Sequence, residues 1–422
     1  MTEQSYSPAQ YKKNFVIHLA ERCFLLFGEN LLVFSQEVLI GLFKALSATP
    51  NVIGIAFGAT KLNYLIQIFT ARWVEAKPKK KSFLVWSGLV FRAPFLVIPL
   101  ALWFFGINQP AVALAVAIGG LWLHWVLNSI MNPPLFDLYG DTIPNRSRFF
   151  SYKVVAGAIT GTVAALAVKR LFKDLPFPTK YTVLFLAAFA FAMVSWLLFT
   201  RVLDNPRKQV PERCNFSLGN YLLSTVKLIP RDKRLAVFMA GRITNEICFS
   251  WLFVVTLEYL QRFKLGDAAL GNAMLFRFVP AIFVAYLAGR FSERFGPRRS
   301  LVVGASALVA MWVMAMSIYS PQLYLLVYLF MTAHLSIWSA CEPDVMLLIS
   351  PPDSRVAYMT VMMFIPNTIG ALTAPLGGLL AQRLGANAVF ALATAISIVS
   401  LGFFVLLEFM RMPESSLAAE KA

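Results

Sequence analysis

Charged residues that interrupt long apolar runs are the part of this sequence most able to do chemistry. Glu29, Lys61, Arg92, Glu246 and Arg277 each lie near the middle of such a run. A carboxylate in apolar surroundings can take up and release a proton, and a buried cation can bind an anionic group, Arg through two parallel hydrogen bonds. The predicted chemistry is proton transfer and anion binding, without a catalytic step.

The basic residues inside these runs outnumber the acidic ones. The nine are Glu21, Arg22, Glu29, Lys61, Arg92, Lys153, Arg242, Glu246 and Arg277. An unpaired buried cation is costly until a counter-ion arrives, so the surplus favours a site for an anionic or zwitterionic solute. The residues expected to bind it are Arg92, Arg277, Lys61, Asn63, Asn245 and Asn367, and those expected to carry a proton are Glu29 and Glu246.

A structural role for the same charges is the alternative. Glu29 could pair with Lys61, and Glu246 with Arg277, as tethers between neighbouring helices that touch no solute. The sequence alone leaves both interpretations open.

The apolar runs that carry these charges are long enough to cross a membrane. The chain of 422 residues is 58% hydrophobic and 14% charged, with a mean hydropathy of +0.67. Twelve windows of about 20 residues are predicted, at roughly 15–43, 51–71, 83–105, 111–131, 149–170, 182–202, 235–260, 270–289, 300–319, 322–342, 356–381 and 386–410. Lipid offers the backbone no hydrogen-bond partners, so an all-α membrane protein with twelve transmembrane helices is predicted.

The distribution of the 38 Lys and Arg residues predicts the topology. Most fall in loops that share one side of the membrane, as in the run Lys77, Lys79, Lys80 and Lys81. Basic loops stay in the cytoplasm, so we expect both termini there, in a plasma or bacterial inner membrane. This bias explains the net charge of +17 without nucleic-acid binding. Four cysteines without paired spacing indicate neither a metal site nor a disulfide framework, and no cofactor is expected.

The longest polar interval divides the twelve windows into six and six. We predict an N-terminal half at 1–202, a cytoplasmic loop at 203–234 and a C-terminal half at 235–422. A repeat supports the division: Asp137, Pro144, Ser147 and Arg148 recur 207 residues later as Asp344, Pro351, Ser354 and Arg355. Such parallel repeats relate the two halves of many transporters.

The loop between windows eight and nine is a charged hairpin, GRFSERFGPRR, at 289–299. Its spacing of Gly289, Glu293-Arg294, Gly296 and Arg298-Arg299 resembles the signature loop of major facilitator superfamily transporters, with Glu293 where that loop commonly has Asp. The corresponding loop at 67–75 keeps an Arg but lacks the glycines and the acid. The resemblance implies two pseudo-symmetric six-helix halves, and a cytoplasmic gate formed by Gly289, Glu293, Arg294, Gly296 and Arg298.

The resemblance and the buried charges together predict proton-linked transport of a small organic solute by alternating access. An uncoupled facilitator and an exporter of amphiphiles or lipids remain open, as does a facilitator-fold protein that no longer transports and serves in membrane assembly or sensing. Three scattered histidines argue against an enzyme. We expect a monomer in the lipid bilayer whose partners are a small solute and protons.

Overall fold

The computed structural model describes residues 7–32, 36–61, 66, 80–143, 146–204, 226–351 and 355–410. Its fifteen α-helices in these ranges are α1 (Pro8–Leu31), α2 (Gln36–Ala45), α3 (Pro50–Ala59), α4 (Lys80–Arg92), α5 (Pro94–Phe105), α6 (Pro110–Thr142), α7 (Arg146–Asp174), α8 (Thr179–Phe199), α9 (Lys233–Ser250), α10 (Phe253–Arg262), α11 (Ala268–Phe295), α12 (Pro297–Ser317), α13 (Pro321–Ile349), α14 (Arg355–Leu384) and α15 (Ala386–Phe409). No strand occurs in these ranges.

Eleven segments of the described chain are long and apolar enough to cross a membrane. Helix α3 is a shorter apolar helix and is the described part of the second predicted span. Three predicted spans are each built from two helices: α1 with α2, α4 with α5, and α9 with α10. The predicted all-α architecture of apolar helices is confirmed, while the boundaries of the predicted windows differ from those of the helices by several residues.

Proline and glycine set many of the helix ends. Six helices, α1, α3, α5, α6, α12 and α13, begin with proline, whose missing N–H would have no partner in a first turn. Ser7 and Thr49 cap the first two of these by accepting backbone N–H groups. Gly296 and Gly385 precede α12 and α15 with φ of 88° and 82°, a conformation that glycine adopts without strain.

The helices divide into two compact units. The first contains Met1–Ala48, Leu62–Cys214 and Asp267–Leu275, and the second contains Thr49–Lys61, Asn215–Gly266 and Phe276–Ala422. Helix α11 begins in the first unit and continues in the second. Pro144 and Ser354 of the sequence repeat, and the loop at 67–75, lie outside the described residues.

In the first unit, α1 packs closely on α7 and α8. A Cβ placed on Gly28 would lie 2.9 Å from the carbonyl oxygen of Ala188, so only glycine permits this approach of α1 to α8. Asn30 donates from Nδ2 to the carbonyl of Gly157 and to the hydroxyl of Thr160, 3.0 Å each, which ties α1 to α7. The apolar faces of these helices are thus held together by a polar contact at membrane depth.

In the second unit, α3 packs against α14 through small residues. Gly54 and Gly58 are four residues apart, so they lie on one face of α3. A Cβ on Gly54 would lie 2.6 Å from the carbonyl oxygen of Ala374, and one on Gly58 would lie 2.6 Å from that of Ala371. Pairs of small residues with this spacing let membrane helices approach backbone to backbone. This contact brings the end of α3 to the middle of α14.

Replacing either glycine of α3 should separate the two helices. We expect Gly54→Ala and Gly58→Ala each to lower the free energy of unfolding by about 1–3 kcal/mol, because the added methyl group overpacks a close interface. Thermal unfolding of the purified protein in detergent measures the effect. Gly119→Ala is the matched control, since its Cβ would meet no atom within 4 Å, and it should be neutral or slightly stabilising. Equal behaviour of Gly58→Ala and Gly119→Ala would contradict the assignment of a close helix contact.

Candidate functional site

Four charged side chains of the second unit form one continuous buried series, which we call the ion chain: Lys61, Glu246, Arg242 and Glu342. Lys61 and Arg242 each donate to one oxygen of Glu246, and Arg242 also pairs with Glu342. All four side chains are at most 13% exposed. With two cations and two carboxylates the ion chain has no net charge, so its members satisfy one another in the absence of a solute.

Glycine and aromatic residues hold the ion chain in place. A Cβ on Gly370 of α14 would lie 2.8 Å from Cγ of Glu246 and 3.0 Å from Cδ of Lys61, so the Lys61–Glu246 pair requires glycine there. The Phe249 ring centroid lies 4.3 Å from Nζ of Lys61, and the Trp338 ring centroid lies 5.5 Å from Cζ of Arg242. Aromatic faces stabilise such cations away from water.

Two neutral side chains of the helices that carry the ion chain keep an unused polar atom. Asn245 on α9 is 1% exposed, and its Oδ1 has no hydrogen-bond partner among the described residues. His334 on α13 faces the carbonyl of Gly304 with Nδ1 at 2.9 Å, while its Nε2 has no partner in the described part of the chain. Buried polar atoms usually have partners, so these two are candidate contacts for a solute.

The ion chain should be a set of coupled charges. Glu246→Gln leaves two cations facing one carboxylate, and we expect a loss of about 3–5 kcal/mol in the free energy of unfolding. The double variant Glu246→Gln with Lys61→Gln keeps the Arg242–Glu342 pair and restores charge balance. It should therefore lose less than the sum of the two single variants, by about 0.5–3 kcal/mol. Thermal unfolding of all variants in detergent gives this coupling.

The exposed pair Arg170–Asp174 on α7 is the control for this double-mutant cycle. Its side chains are 77% and 42% exposed, so Arg170→Gln with Asp174→Asn should show a coupling below about 1 kcal/mol. Additive losses at Lys61 and Glu246 would show that the two charges do not interact.

The first unit contains a second buried polar cluster, between α1, α4, α6 and α8. Nε of Arg22 donates to the hydroxyl of Tyr139 at 2.6 Å and lies 3.0 Å from a carboxylate oxygen of Glu21. Ser195 donates to the other oxygen of Glu21 at 2.9 Å and accepts from Arg92 at 3.1 Å. One network therefore connects four helices.

Arg92 uses three of its five N–H groups within the protein. Nε donates to the carbonyl of Ala192 at 2.6 Å, Nη1 to that of Gly88 at 2.6 Å and Nη2 to Ser195. Arg92 is 3% exposed, and its guanidinium bridges α4 to α8. Two N–H groups remain for a solute, so Arg92 combines a structural role with limited binding capacity.

Glu29 has a different environment from Glu246. It is 5% exposed, and its carboxylate makes no hydrogen bond to any residue in the described ranges; Nε2 of His124 lies 3.9 Å from its Oε1. Nδ1 of His124 is 3.2 Å from the carbonyl of Phe91, an acceptor, so the ring proton of a neutral His124 belongs on Nδ1. The lone pair on Nε2 then faces Glu29. A protonated Glu29 carboxyl group is a hydrogen-bond donor, which is the complement of this lone pair.

Lys153 adds a third cation to the first unit. It interacts electrostatically with Arg22, Glu29 and Glu21, yet it forms no hydrogen bond or ion pair with a described residue. The polar cluster then has three basic residues, Arg22, Arg92 and Lys153. Its acidic residues are Glu21 and Glu29, so the positive charges exceed the negative ones by one. A small cavity of about 20 Å³ borders Glu21, Arg22 and Arg92 together with Asn128 and Trp196.

The two units repeat one arrangement of side chains. Arg22 on the first helix bonds Tyr139 on α6, and Arg242 on α9 bonds Glu342 on α13. His124 and His334 lie on the same two helices as those partners, and each faces a backbone carbonyl with Nδ1. Glu342 and Tyr139 were not identified from the sequence, because the predicted tenth window ends at 342 and a Tyr in an apolar run is ordinary.

Two other predicted solute-binding residues, Asn367 and Arg277, contact residues of their own helices. Asn367 donates from Nδ2 to the Met363 carbonyl of its own helix at 2.7 Å. Arg277 is half-buried, and its Cζ lies 5.3 Å from the Phe278 ring centroid. The sequence suggested that Lys61 pairs with Glu29 and that Glu246 pairs with Arg277. In the structure Lys61 pairs with Glu246 instead. Asn63 lies outside the described residues.

The predicted gate residues lie at the junction of α11 and α12. Glu293 and Arg294 are exposed, and Gly289 and Gly296 have open space at their Cβ positions. Arg298 donates from Nη1 to the carbonyls of Leu407, Glu408 and Met410, at 3.2, 3.0 and 2.9 Å. It therefore caps the C-terminal end of α15, where free carbonyls and the helix dipole favour a cation.

No group of three or more His, Cys, Asp or Glu side chains that could hold a metal ion occurs among the described residues. The polar groups of both clusters are instead arranged for charge pairing and hydrogen bonding, which suits reversible binding of a solute or a proton.

Comparison with known proteins identifies the fold and a family match for the C-terminal part of the chain. Residues 238–421 match the sequence model of the Major Facilitator Superfamily. The structure of the nucleoside transporter NupG is similar, with 14% identity, a TM-score of 0.64, and coverage of 95% of this chain and 100% of that one. A D-xylose-proton symporter is 12% identical with a TM-score of 0.69, and the match covers 92% of this chain and 96% of that one. The human organic anion transporter MFSD10 is 12% identical with a TM-score of 0.65, and the match covers 94% of this chain and 100% of that one. No sequence among curated proteins matches the chain. The predicted major facilitator fold is confirmed.

Proposed function

We propose that this chain is a secondary transporter of the major facilitator superfamily that moves a small organic solute by alternating access, because residues 238–421 match that family's model and the fold is shared with known transporters. It is a multi-pass membrane protein and a transporter rather than an enzyme. We propose further that the solute is anionic or zwitterionic and that a proton moves with it.

The surplus of positive charge in the first unit carries the proposal of solute class. Arg22 and Arg92 have partners among the described residues, whereas Lys153 has no hydrogen bond or ion pair there. Lys153 is half-buried and has no direct ion pair within the described ranges, so a carboxylate, phosphate or similar group of a solute would stabilise its charge. Lys153 is therefore the proposed primary contact, and the remaining N–H groups of Arg92 would supply hydrogen bonds.

Glu29 is the proposed proton carrier. When Glu29 is ionised, the cluster of Arg22, Arg92, Lys153, Glu21 and Glu29 has a charge of three minus two, or +1. When Glu29 is protonated the charge becomes three minus one, or +2, and an anion is attracted more strongly. Proton uptake would thus promote anion binding, and release of one would promote release of the other.

Glu246 is a weaker proposal for the proton carrier. Two cations, Lys61 and Arg242, compete with a proton for its carboxylate. Lys61, Asn245, Asn367, Arg277 and Asn63 remain proposed solute contacts, with the unused Oδ1 of Asn245 as the strongest support among them.

The proposed cytoplasmic gate consists of Gly289, Glu293, Arg294, Gly296 and Arg298. Arg298 links the start of α12 to the end of α15, which supports a rigid connection at this side of the second unit. We propose a plasma or bacterial inner membrane location, both termini in the cytoplasm, two halves at 1–202 and 235–422 joined by the loop 203–234, and a monomer as the working form.

Removing the Glu29 carboxylate should abolish proton coupling. Purified protein in proteoliposomes with an internal pH-sensitive dye is exposed in turn to organic anions, zwitterions and hydrophobic cations. We expect an anion or zwitterion to change the internal pH, and Glu29→Gln to reduce this change to the level of empty vesicles. Asp174→Asn removes an exposed carboxylate and should leave it intact.

The same assay distinguishes the other functions. Solute uptake without a pH change indicates an uncoupled facilitator, and movement of hydrophobic cations or lipids alone indicates an exporter of amphiphiles. Silence across the panel, with a folded protein, favours a non-transporting role in assembly or sensing. Each of these results rejects proton-linked anion transport.

Removing the charge of Lys153 should weaken solute binding. Lys153→Gln eliminates a charge-assisted contact, and the half-saturating concentration of the anion should rise by about tenfold or more. Lys173→Gln on the same helix removes an exposed cation and should have little effect. The measurement is uptake of the radiolabelled anion against its concentration. An unchanged half-saturating concentration in Lys153→Gln would place the anion site elsewhere.

A further inference from the structure

An open apolar groove of about 660 Å³ lies beside the charged hairpin, between the end of α11 and the helices α12 and α13. Its walls are mainly Val284, Leu287, Phe291, Val303 and Ile337, and we call it the arginine groove because Arg290 and Arg294 also line it. It belongs entirely to the second unit. The solute and proton sites proposed above use none of its apolar residues.

With its charged end included, the arginine groove is about as long as one leaflet of a membrane is thick. Its wall on α11 runs from Val284 to Phe295, which at a rise of about 1.5 Å per residue is about 17 Å. Half of a hydrocarbon core of about 30 Å is about 15 Å. The groove ends where α11 stops and the Gly296 turn leads into α12, so its charged end lies where two candidate spans meet water.

The charged end of the groove is positive. Arg290 and Arg294 are exposed and form no ion pair with any residue that the structure describes; their Cζ atoms lie 5.3 and 5.2 Å from the rings of Tyr286 and Phe295. Glu293 is the acid that lines the same groove. Two cations and one carboxylate leave a charge of +1 above an apolar channel, the complement of an anionic head group with an acyl chain.

We propose that the arginine groove binds one anionic phospholipid, with an acyl chain along α11 and the phosphate at Arg290 and Arg294. The apolar wall is continuous with side chains that are exposed on the same helix, Phe283 at 65% and Leu287 at 61%, so lipid reaches the groove directly from the bilayer. Arginine close to an anionic membrane surface binds such head groups. The proposal is independent of the transported solute.

The test measures lipid retained by the purified full-length protein. Nanodiscs that contain equal amounts of phosphatidylglycerol and phosphatidylcholine are prepared, and the lipid that stays bound after transfer to detergent is counted by native mass spectrometry. The wild-type protein should retain phosphatidylglycerol preferentially. Arg290→Gln with Arg294→Gln should reduce this preference by about 30-fold, from two basic contacts near an anionic surface.

Matched controls separate the head-group and acyl-chain contributions. Lys227→Gln with Arg231→Gln removes two exposed cations before α9 and should leave the preference unchanged. Val303→Trp fills the groove without changing charge and should reduce retention, whereas Val313→Trp, at an exposed position of the same helix outside the groove, should not. Size-exclusion profiles verify that each variant is folded.

Three results would overturn the proposal. Equal retention of the two lipids by the wild-type protein would exclude a selective site. An equal loss in the Lys227 and Arg231 control would indicate general attraction by surface charge. Displacement of the lipid by millimolar inorganic phosphate would assign the arginines to a free anion instead of a head group. Val303→Trp changes no proposed gate residue, so a loss of lipid with preserved proton coupling in this variant would leave the transport proposal intact.

Discussion

The hydrocarbon core of a membrane offers no hydrogen-bond partners, and the organisation of this protein depends on that constraint. A backbone group left unpaired there costs several kcal/mol, which accounts for the all-helical architecture of the described chain. The same constraint acts on side chains. Arg92 bridges two backbone carbonyls and a hydroxyl, and Arg242 lies between two carboxylates. Such contacts connect helices whose apolar faces alone would pack with little specificity.

Close backbone approach is what allows the charges of the second unit to meet. Gly54 and Gly58 let α3 lie directly on α14, and Gly370 leaves room for the Lys61 and Glu246 side chains beside that contact. Small residues and buried charges thus support one another: the glycines bring α3 near, and the ion pair gives the contact a unique register. A methyl group at any of these positions would act on both the packing and the electrostatics.

Helices and buried charges can be predicted from this sequence because each leaves a local pattern in composition. Long apolar runs predict the helices, and a charge within such a run predicts a buried group, so Glu29, Arg92 and Glu246 were identified correctly as buried. The partner of each buried charge could not be predicted from the sequence. Glu246 is 185 positions from Lys61 in the chain, and no local pattern joins them. Glu342 was missed since the apolar window ends there, although the helix continues to Ile349. The break of the seventh span at Trp251 was also unpredicted; its indole donates to the carbonyl of Thr373 on α14, a contact that depends on tertiary packing.

The contrast between the two polar clusters follows from how completely their charges cancel. In the ion chain, each cation contacts a carboxylate, and removal of any member leaves a buried charge exposed to an apolar environment; such a set resists change and suits a structural connection. In the polar cluster of the first unit the cations exceed the carboxylates by one, and the Glu29 carboxylate has no direct ion pair with Arg22, Arg92 or Lys153 and lies 3.9 Å from Nε2 of His124. A set that is not satisfied by its own members changes its free energy strongly when a proton or an anion arrives. The placement of Arg22 and His124 in the first unit is repeated by Arg242 and His334 in the second, so similar frameworks carry two polar clusters with different charge balance. The two arrangements differ in partner type: the hydroxyl of Tyr139 bonds Arg22, whereas the carboxyl group of Glu342 pairs with Arg242.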